Sequence, residues 1–475
     1  MLGILIRKEI QDNVFSFRFA AVFALLLIVV PVTVFVLTND YVKKVDEFSF
    51  RRAGVEDYLK NYAHFNRLQN VIQPSQPPLS MYTLVRGISS DINMEEFDND
   101  PLPVMFPLLD LVFIVAILLS LAAIIFSYDS VCGEKEDGTL KLMLANSLPR
   151  SQVVLGKIFG GTAVLIAPFL VSLLVGLVVI LLNPRVSLTG ANWSALGFVL
   201  LGAVAYVIFF QVLGVFISSR HQASASSIMT SLCVWVLLVL VVPNVCPYLA
   251  SLLSPAPSRI KTSREIAQLT DTERDNLGRR LQAERSRDIM RKYPVLAERL
   301  TEAEAKARVA KDPAFRIAYE ALTKEIQAAW DEANRIQGDK ARLIENDRLQ
   351  KEKAQTRLST MLSLISPLAD FTYWATDLTS TGLRNVGYFL DLRDAWDRAY
   401  TAYYRGRVAA LQKQDPAVDW WNTPVDVSDM PRFVYKEETV GARAKSGLGP
   451  LAVLIVMCVG LFVAAYASFI RYDAR

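Results

Sequence analysis

Six long runs of apolar residues constrain the fold of this chain more than any other feature of its sequence. A helix that crosses a hydrocarbon core of about 30 Å needs roughly 20 apolar residues, because each residue adds about 1.5 Å of rise. Buried helices of a large soluble protein would show polar residues at every third or fourth position, and these runs lack them. We therefore predict six membrane spans, at residues 19–38, 103–127, 158–182, 196–219, 225–248 and 448–470.

The segments around these runs complete the prediction of an all-α membrane protein. Residues 1–18 carry apolar side chains at helical spacing, which favours an amphipathic helix at the inner membrane surface over a short soluble cap. Residues 249–447 form a large, mostly helical extracytoplasmic insertion between spans five and six. The other predicted segments are an extracytoplasmic loop at 39–102, a cytoplasmic loop at 128–157 and a cytoplasmic tail at 471–475.

The insertion divides into a charged part and an apolar part. Residues 259–357 are rich in both signs of charge, and their apolar residues recur at helical spacing, which predicts a helical arm folded as a hairpin. A proline at position 313 interrupts this pattern. Residues 358–385 are apolar and aromatic but too short to span, so we expect a segment whose rings lie at headgroup depth. The sequence RFVYKE at 432–437 predicts a strand.

The distribution of lysine and arginine predicts which ends of the spans face the cytoplasm. Short cytoplasmic loops carry an excess of these residues. The outer loop at 183–194 contributes only Arg185, although Lys43, Lys44, Arg51 and Arg52 flank the outer end of the first span. We predict a multi-pass protein of the bacterial cytoplasmic (inner) membrane with both termini in the cytoplasm. The basic residues on that side are Arg7, Lys8, Arg18, Lys135, Lys141, Arg150, Lys157, Arg220, Arg471 and Arg475.

Several functions find no support in the composition. The net charge of +4 comes without a clustered basic stripe, so we predict no nucleic-acid partner. Two histidines and four cysteines without ligand spacing predict neither a metal site nor a disulfide framework. HExxH and Gly-x-Ser-x-Gly motifs are missing from the sequence. We therefore assign no catalytic, cofactor-binding or metal-ligating residue and predict that the chain is not itself an enzyme.

A compact polar stretch, 130–157, separates the second and third runs. Gly138 suits the end of a helix, because glycine accepts the left-handed conformation without a side-chain clash. Leu140, Met143 and Leu144 then share one helical face, and Pro149 suits the first turn of the next helix. These features predict a small cytosolic projection on which another protein docks. The alternative is a connector whose leucines pack on the chain's own spans, and periodicity does not decide between the two.

This stretch resembles the signature loop of permease subunits of ABC exporters of the type-2 class. The sequence YDSVCGEKEDGTLKLMLANSLPRSQVVLGKIFGG, at 128–161, follows the family's order of an acidic-basic-acidic triplet, Gly-Thr-Leu, a leucine-rich turn, proline, a basic residue and Gly-Lys. The amphipathic start and six-span layout are also similar, and the long outer loop resembles a subgroup of these permeases. The matching residues are Glu134, Glu136, Gly138, Thr139, Leu140, Pro149, Arg150, Gly156 and Lys157.

The resemblance implies a coupling loop that contacts a separate ATP-binding subunit, which would bind ATP and Mg. It also implies a second permease chain, identical or related, beside the lipid bilayer. The sequence GKIFGG in this chain lacks the spaced glycine and the Ser or Thr of a phosphate-binding loop, so ATP chemistry is expected in the partner. The residues expected to contact the ATP-binding subunit are Glu134, Glu136, Gly138, Thr139, Leu140, Met143, Leu144, Pro149 and Arg150.

Two further features bear on transport and assembly. Asp110 is a charged residue within a predicted span, which indicates either a position on the transport path or a boundary residue that snorkels or is protonated. Glycines in the third and fourth runs offer faces for close helix packing. These glycines are Gly156, Gly160, Gly161, Gly197 and Gly202.

Two functions are compatible with these features of the sequence. The first is the permease subunit of an ATP-driven ABC exporter that is coupled through residues 134–150. The second is a mechanotransmitting membrane subunit that transports nothing and acts through the helical arm on a periplasmic partner. The first predicts a cavity between permeases, and the second a closed membrane domain whose conspicuous surface lies on the arm.

Overall fold

Helices dominate the described part of the computed structural model, which comprises residues 2–71, 74–87, 109–140, 149–298, 301–414 and 418–470. Six helices in these ranges are long and apolar enough to cross a bilayer, which confirms the predicted all-α membrane fold. In chain order the helices are α1 (Leu2–Val14), α2 (Phe17–Tyr62), α3 (Phe65–Val71), α4 (Leu111–Glu136), α5 (Arg150–Leu181), α6 (Gly190–Arg220), α7 (Ser224–Leu253), α8 (Arg259–Ala267), α9 (Arg274–Lys292), α10 (Glu302–Lys311), α11 (Pro313–Ser363), α12 (Pro367–Leu378), α13 (Leu383–Gln414) and α14 (Val440–Ile470).

The chain divides into two compact units. The membrane unit comprises Met1–Pro243 and Leu364–Arg475, and the arm unit comprises Asn244–Ser363. The six helices that can cross a bilayer are α2, α4, α5, α6, α7 and α14.

The spans of the membrane unit differ in how much of their apolar surface the protein covers. Two thirds (67%) of the most apolar window is buried in α4 and in α6, against 11% in α14. Tyr206 lies midway along α6 and is fully buried, and its ring contacts Phe210 at 5.0 Å between centroids. Helices α4 and α6 therefore form the centre of the bundle, whereas α14 leaves most of its apolar side chains uncovered.

Successive spans run in alternate directions, so the bundle has two ends. We call one of them the near end. It contains α1, the α4–α5 connection, the α6–α7 connection and the end of α14. Arg18, at the start of α2, pairs with Asp129 of α4 at 2.8 Å, and Arg150 donates to the carbonyl oxygen of Ile470. The opposite, far end holds the α5–α6 connection and the start of α14. Both ends of the described chain therefore lie at the near end.

Helix α2 continues far beyond the first predicted span, which ended at residue 38. It reaches Tyr62, so the predicted loop at 39–102 begins instead with a helical extension. At the far end this extension packs with α3, α13 and residues 418–439. Tyr400 of α13 donates to the carbonyl oxygen of Leu68 at 2.8 Å, and the amide of Phe65 bonds Thr423 at 3.4 Å. The predicted strand at 432–437 is wrong, because these residues are extended but pair with no strand in the described ranges.

Helix α12, within the predicted membrane-interface segment 358–385, packs inside the membrane unit. The Phe371 ring stacks on Tyr206 with centroids 5.2 Å apart, and the Trp374 indole donates to the carbonyl oxygen of Phe198 at 2.9 Å. Gly202 makes this approach feasible, since a Cβ there would lie 2.3 Å from the Trp374 ring. The segment is therefore a re-entrant helix that packs on α6.

The arm unit contains a helical hairpin. Helix α9 packs antiparallel to α11, and a Cβ at Gly278 would lie 2.5 Å from Trp330. The Trp330 indole donates to Gln282 at 2.9 Å, so the contact is polar as well as apolar. Helix α11 begins at Pro313, where the sequence pattern is interrupted, because proline at the first position of a helix removes a donor that has no intrahelical partner.

Candidate functional site: the connection between α4 and α5

The last turn of α4, Cys132–Glu136, ends as the sequence predicts. Gly138 has a φ of +70°, in the left-handed region, and the amide of Asp137 donates to the carbonyl oxygen of Gly133 at 2.9 Å. This closes the helix and turns the chain, so that Leu140 points back into the bundle and is 0% exposed. Residues 141–148, which include Met143, Leu144 and Ser147, lie outside the described residues.

A buried lysine lies at the centre of the near end. The Lys157 side chain, 3% exposed, extends from the second turn of α5, and its Nζ donates to Glu134 at 2.8 Å and to Glu9 at 3.0 Å. A buried charge is tolerated only where opposite charges and hydrogen bonds replace its hydration. The two carboxylates supply both, so Lys157 connects α1, the α4–α5 connection and α5.

Helix α1 packs against α5 at two glycines of α5, Gly156 and Gly160, which have no side chain. A Cβ at Gly156 would lie 3.0 Å from Leu5, and one at Gly160 would lie 2.6 Å from Glu9. The predicted amphipathic face of α1 is therefore partly covered by protein, while Phe17 beyond its end is exposed. Close approach of the two backbones is what brings Glu9 within reach of Lys157.

The same connection bonds to the junction of α6 and α7. Lys135 donates to the carbonyl oxygens of Ser219 at 2.6 Å and His221 at 3.0 Å, and Glu136 accepts a bond from the amide of Ser224 at 3.0 Å. The Ser218 hydroxyl accepts bonds from the amides of residues 131 and 132, each at 3.0 Å. The connection therefore bonds directly to both α6 and α7.

The start of α5 is attached to the end of α14. Arg150 donates to the carbonyl oxygens of Phe469 and Ile470, in the last described turn of α14. Pro149 precedes it as the N-cap residue and is exposed. Arg150 thus joins the connection to a third part of the bundle.

The structure separates the predicted partner-contacting residues into two groups. Glu134, Leu140 and Arg150 face inward and hold the connection in place, as the alternative of a connector packed on its own spans describes. Glu136, Gly138 and Thr139 are exposed, together with Asp137. We call residues 136–139 the exposed turn; with Pro149 it is the described surface of the connection that a second protein can reach.

Asp110 has a local structural role. It is the N-cap residue of α4 and accepts bonds from the amides of Phe113 at 2.8 Å and Arg86 at 3.2 Å. A side-chain oxygen at this position satisfies amides that have no partner within the helix. The carboxylate therefore caps the start of α4, the second span.

Sequence reasoning did not identify Glu9, Ser218 or Ser224, and it gave Lys157 only as a basic residue of the cytoplasmic side and as a residue of the family pattern. The sequence carries one signal for Glu9. It stands three residues after Ile6, so the two side chains lie next to each other on α1 and Glu9 borders the apolar face of that helix. The hydroxyls of Ser218 and Ser224 carry no comparable signal. In the ranges that the structure describes, no group of three His, Cys, Asp or Glu side chains is placed to hold a metal ion.

Comparison with known proteins gives two findings. The family model described as ABC-2 family transporter protein matches residues 4–474. The probable ABC transporter permease protein NosY of Pseudomonas aeruginosa is 34% identical over 128 residues, and that of Stutzerimonas stutzeri is 34% identical over 134 residues. Each alignment covers 26% of this chain and 45% of the relative, so the chain spans less than half the length of these curated relatives.

Proposed function

The chain belongs to the ABC-2 family of transporter proteins, and from this premise we propose that it is the permease subunit of an ATP-driven exporter. A separate ATP-binding subunit binds the exposed turn, residues 136–139, at the near end. That subunit binds ATP and Mg, and this chain carries out no hydrolysis. A second permease chain, identical or related, completes the transport path in the bilayer.

The observation that carries this proposal is the attachment of the connection to five helices. Lys157 joins it to α1 and α5, Lys135 and Glu136 join it to the α6–α7 junction, and Arg150 joins the start of α5 to α14. A small, exposed turn that is attached to so many helices is suited to transmit a displacement from outside the bundle to them. A flexible linker between two spans requires none of these contacts.

The mechanism is a shift between two conformations of the bundle. A partner can drive this shift only if it binds the two conformations with different affinity. Closure of the ATP-binding subunits would displace the exposed turn, and Lys157 would carry that displacement to α1 and α5. Because Lys157 is buried and paired with two carboxylates, the connection moves as one body with the ends of these helices.

The exposed turn can be tested without disturbing the bundle. Asp137→Arg and Thr139→Arg place bulk and charge on exposed side chains, so the permease should fold while its co-purification with the ATP-binding subunit and the stimulated ATPase rate both fall. Ser187→Arg, on an exposed position at the far end, is the matched control. Wild-type assembly and ATP turnover in both variants would disprove docking at this turn.

A mechanotransmitting subunit that moves no cargo is the second candidate. The observation that favours it is the arm unit, Asn244–Ser363, which is compact by itself and contains one helix of 51 residues. In this case the arm acts on an extracytoplasmic partner. Replacing residues 259–357 by a short linker distinguishes the two functions, because an exporter keeps its cargo flux and a mechanotransmitter loses its effect on the partner while ATP hydrolysis continues.

We also place the near end in the cytoplasm of a bacterium, within the inner membrane. The basic residues of the near end support this orientation. The far end and the arm unit would then lie outside the cytoplasm, where a periplasmic partner could reach them.

A further inference from the structure

The re-entrant helix α12 brings its N-terminal end to the middle of the bundle. The Phe371 ring stacks on Tyr206, midway along α6, and the Ser366 hydroxyl donates to the carbonyl oxygen of Leu238 in α7 at 2.6 Å. The C-terminal end of α12 lies at the far end, where Arg443 of α14 donates to the carbonyl oxygen of Leu378 at 3.0 Å. The two ends of α12 therefore have different surroundings.

Asp370 is an ionisable residue in the first turn of α12, at the N-terminal end that lies in the middle of the bundle. We call this the deep end of α12. The residue is 0% exposed, and both carboxylate oxygens are buried without a hydrogen-bond partner among the residues that the structure describes. An ionised carboxylate in such a place loses its hydration and gains nothing in return. The packed arrangement therefore fits the neutral carboxylic acid.

Among the residues that the structure describes, none that packs against α12 is a counter-ion for Asp370. On α6 the titratable group at this depth is Tyr206, whose hydroxyl donates to Ala116 at 2.8 Å. On α14 the titratable group at this depth is Cys458, whose thiol donates to the carbonyl oxygen of Ala205 at 3.6 Å. Charged residues near α12 lie at its far-end terminus. They belong to α4, α13, α14 and the C-terminal end of α12 itself, and they are Asp110, Asp377, Arg384, Arg443 and Lys445.

We propose that Asp370 is a proton-binding site that holds the deep end of α12 in the bundle while it is protonated and releases it when it ionises. On ionisation the carboxyl transfers its proton to water, and the carboxylate then requires water around both oxygens. The Ser366 bond to Leu238 and the stack of Phe371 on Tyr206 separate as this water enters. Arg443 stays bonded to Leu378 and Ser380, so α12 pivots about its far-end terminus.

The direction of the pH effect follows from linkage. The packed state binds the proton of Asp370 more tightly than a hydrated state does, so low pH favours packing and rising pH favours release. This proposal rests on the interior of the membrane unit and does not depend on docking of an ATP-binding subunit. Its failure would therefore leave the proposed coupling unaffected.

Cysteine accessibility in the full chain measures the release. In a background with the four native cysteines replaced by alanine, Ser366→Cys probes the deep end of α12 and Thr379→Cys, also buried, probes the anchored end. The ratio of their reaction rates with a hydrophilic maleimide cancels the ordinary pH dependence of thiols. We expect this ratio to rise with pH by up to about tenfold per pH unit, the limit for one proton.

Asp370→Asn supplies the decisive comparison, because the amide has a similar shape and does not ionise. In that variant the ratio should stay low at every pH. A ratio that does not change with pH in the parent, or that rises equally in the Asp370→Asn chain, would overturn the proposal.

A second measurement uses the chain with its native cysteines. Dicyclohexylcarbodiimide adds to protonated carboxyl groups in apolar surroundings, and the adduct at Asp370 can be located by mass spectrometry of the digested protein. We expect modification at acidic pH that declines as pH rises. An adduct at Asp370 whose yield does not change with pH would show that the carboxyl does not exchange its proton over this range, and the proposal would be wrong.

Discussion

The ammonium group of Lys157 lies 2.8 Å from the carboxylate of Glu134, in a part of the near end where the lysine side chain is 3% exposed. The bond joins the last turn of α4, the second span, to the second turn of α5, the third span. Glu9 completes the arrangement from α1 at 3.0 Å. Three segments that are far apart in the sequence are thereby held by one buried cation.

Lys157→Met should destabilise the membrane unit by about 3 kcal/mol, because removal of one member of a buried ion pair leaves uncompensated charge. Glu9 and Glu134 retain some exposure (18% and 19%), which places the effect at the lower end of the range for such pairs. Thermal unfolding of the detergent-solubilised chain measures the loss. The variant that also carries Glu9→Gln and Glu134→Gln removes the unpaired charges and should recover most of the stability.

Arg18→Met is the control for this prediction. Its pair with Asp129 is also 2.8 Å long, but the side chains are 41% and 29% exposed. An exposed pair contributes about 0–1 kcal/mol. Equal losses for Arg18→Met and Lys157→Met would show that burial does not determine the role of Lys157.

Gly202→Ala should displace α12 from α6. The new Cβ would lie 2.3 Å from the Trp374 ring, which would lose its bond to Phe198 or force the helices apart. Overpacking of this kind costs about 1–3 kcal/mol. Gly197→Ala on the same helix meets nothing within 4 Å and serves as the matched control. Thermal unfolding should distinguish the two, and a Gly202→Ala chain as stable as Gly197→Ala would contradict the packing of α12.

A reporter fused after Gln355 should be active only outside the cytoplasm, and one fused after Asp137 only inside. The expected result follows from the alternation of the spans and from the basic residues of the near end. Alkaline phosphatase, which folds outside, and green fluorescent protein, which folds inside, give opposite readouts for each site. Phosphatase activity at Asp137 would reverse the proposed orientation.

The sequence predicted the number of spans because length and apolar composition alone decide whether a helix can cross a bilayer. It did not predict where each helix ends. The sixth run begins at residue 448, yet α14 begins at Val440, and α2 continues from the first run to Tyr62. A hydrophobicity criterion stops at the first polar residues, whereas backbone hydrogen bonds continue through them into water.

The candidate site was predicted only in part. Gly138 ends its helix because its conformation is a local property that a short sequence determines. The inward direction of Leu140 and the bonds of Lys157 depend on α1 and α14, which lie far away in the sequence. Periodicity within one segment carries no information on such contacts. The burial of α12 was missed for the same reason, since it depends on the absence of a side chain at Gly202.

Arg348→Ala should weaken the arm unit. The Arg348 side chain is 8% exposed and donates to Glu345 at 2.7 Å and 3.1 Å, and bonds between charged groups contribute about 1.5–3 kcal/mol. Hydrogen exchange along α11 in the full chain should therefore quicken. Arg342→Ala is the control, because the contact of Arg342 with Asp339 is 3.9 Å long and exposed. An equal change of the exchange rate in both variants would show that the buried position of Arg348 does not matter.

The same pair gives the arm unit a pH dependence. The hydrogen bond from Arg348 holds the pKa of Glu345 below its ordinary value of 4.5. A carboxyl whose pKa is lowered in the folded state stabilises that state above the unfolded pKa, and the stabilisation is lost as pH falls through the folded value. Circular dichroism of the full chain should show helix loss at acidic pH, and this part of the loss should be absent in Arg348→Ala. An identical acid transition in the variant would mean that other groups control the stability of the arm at low pH.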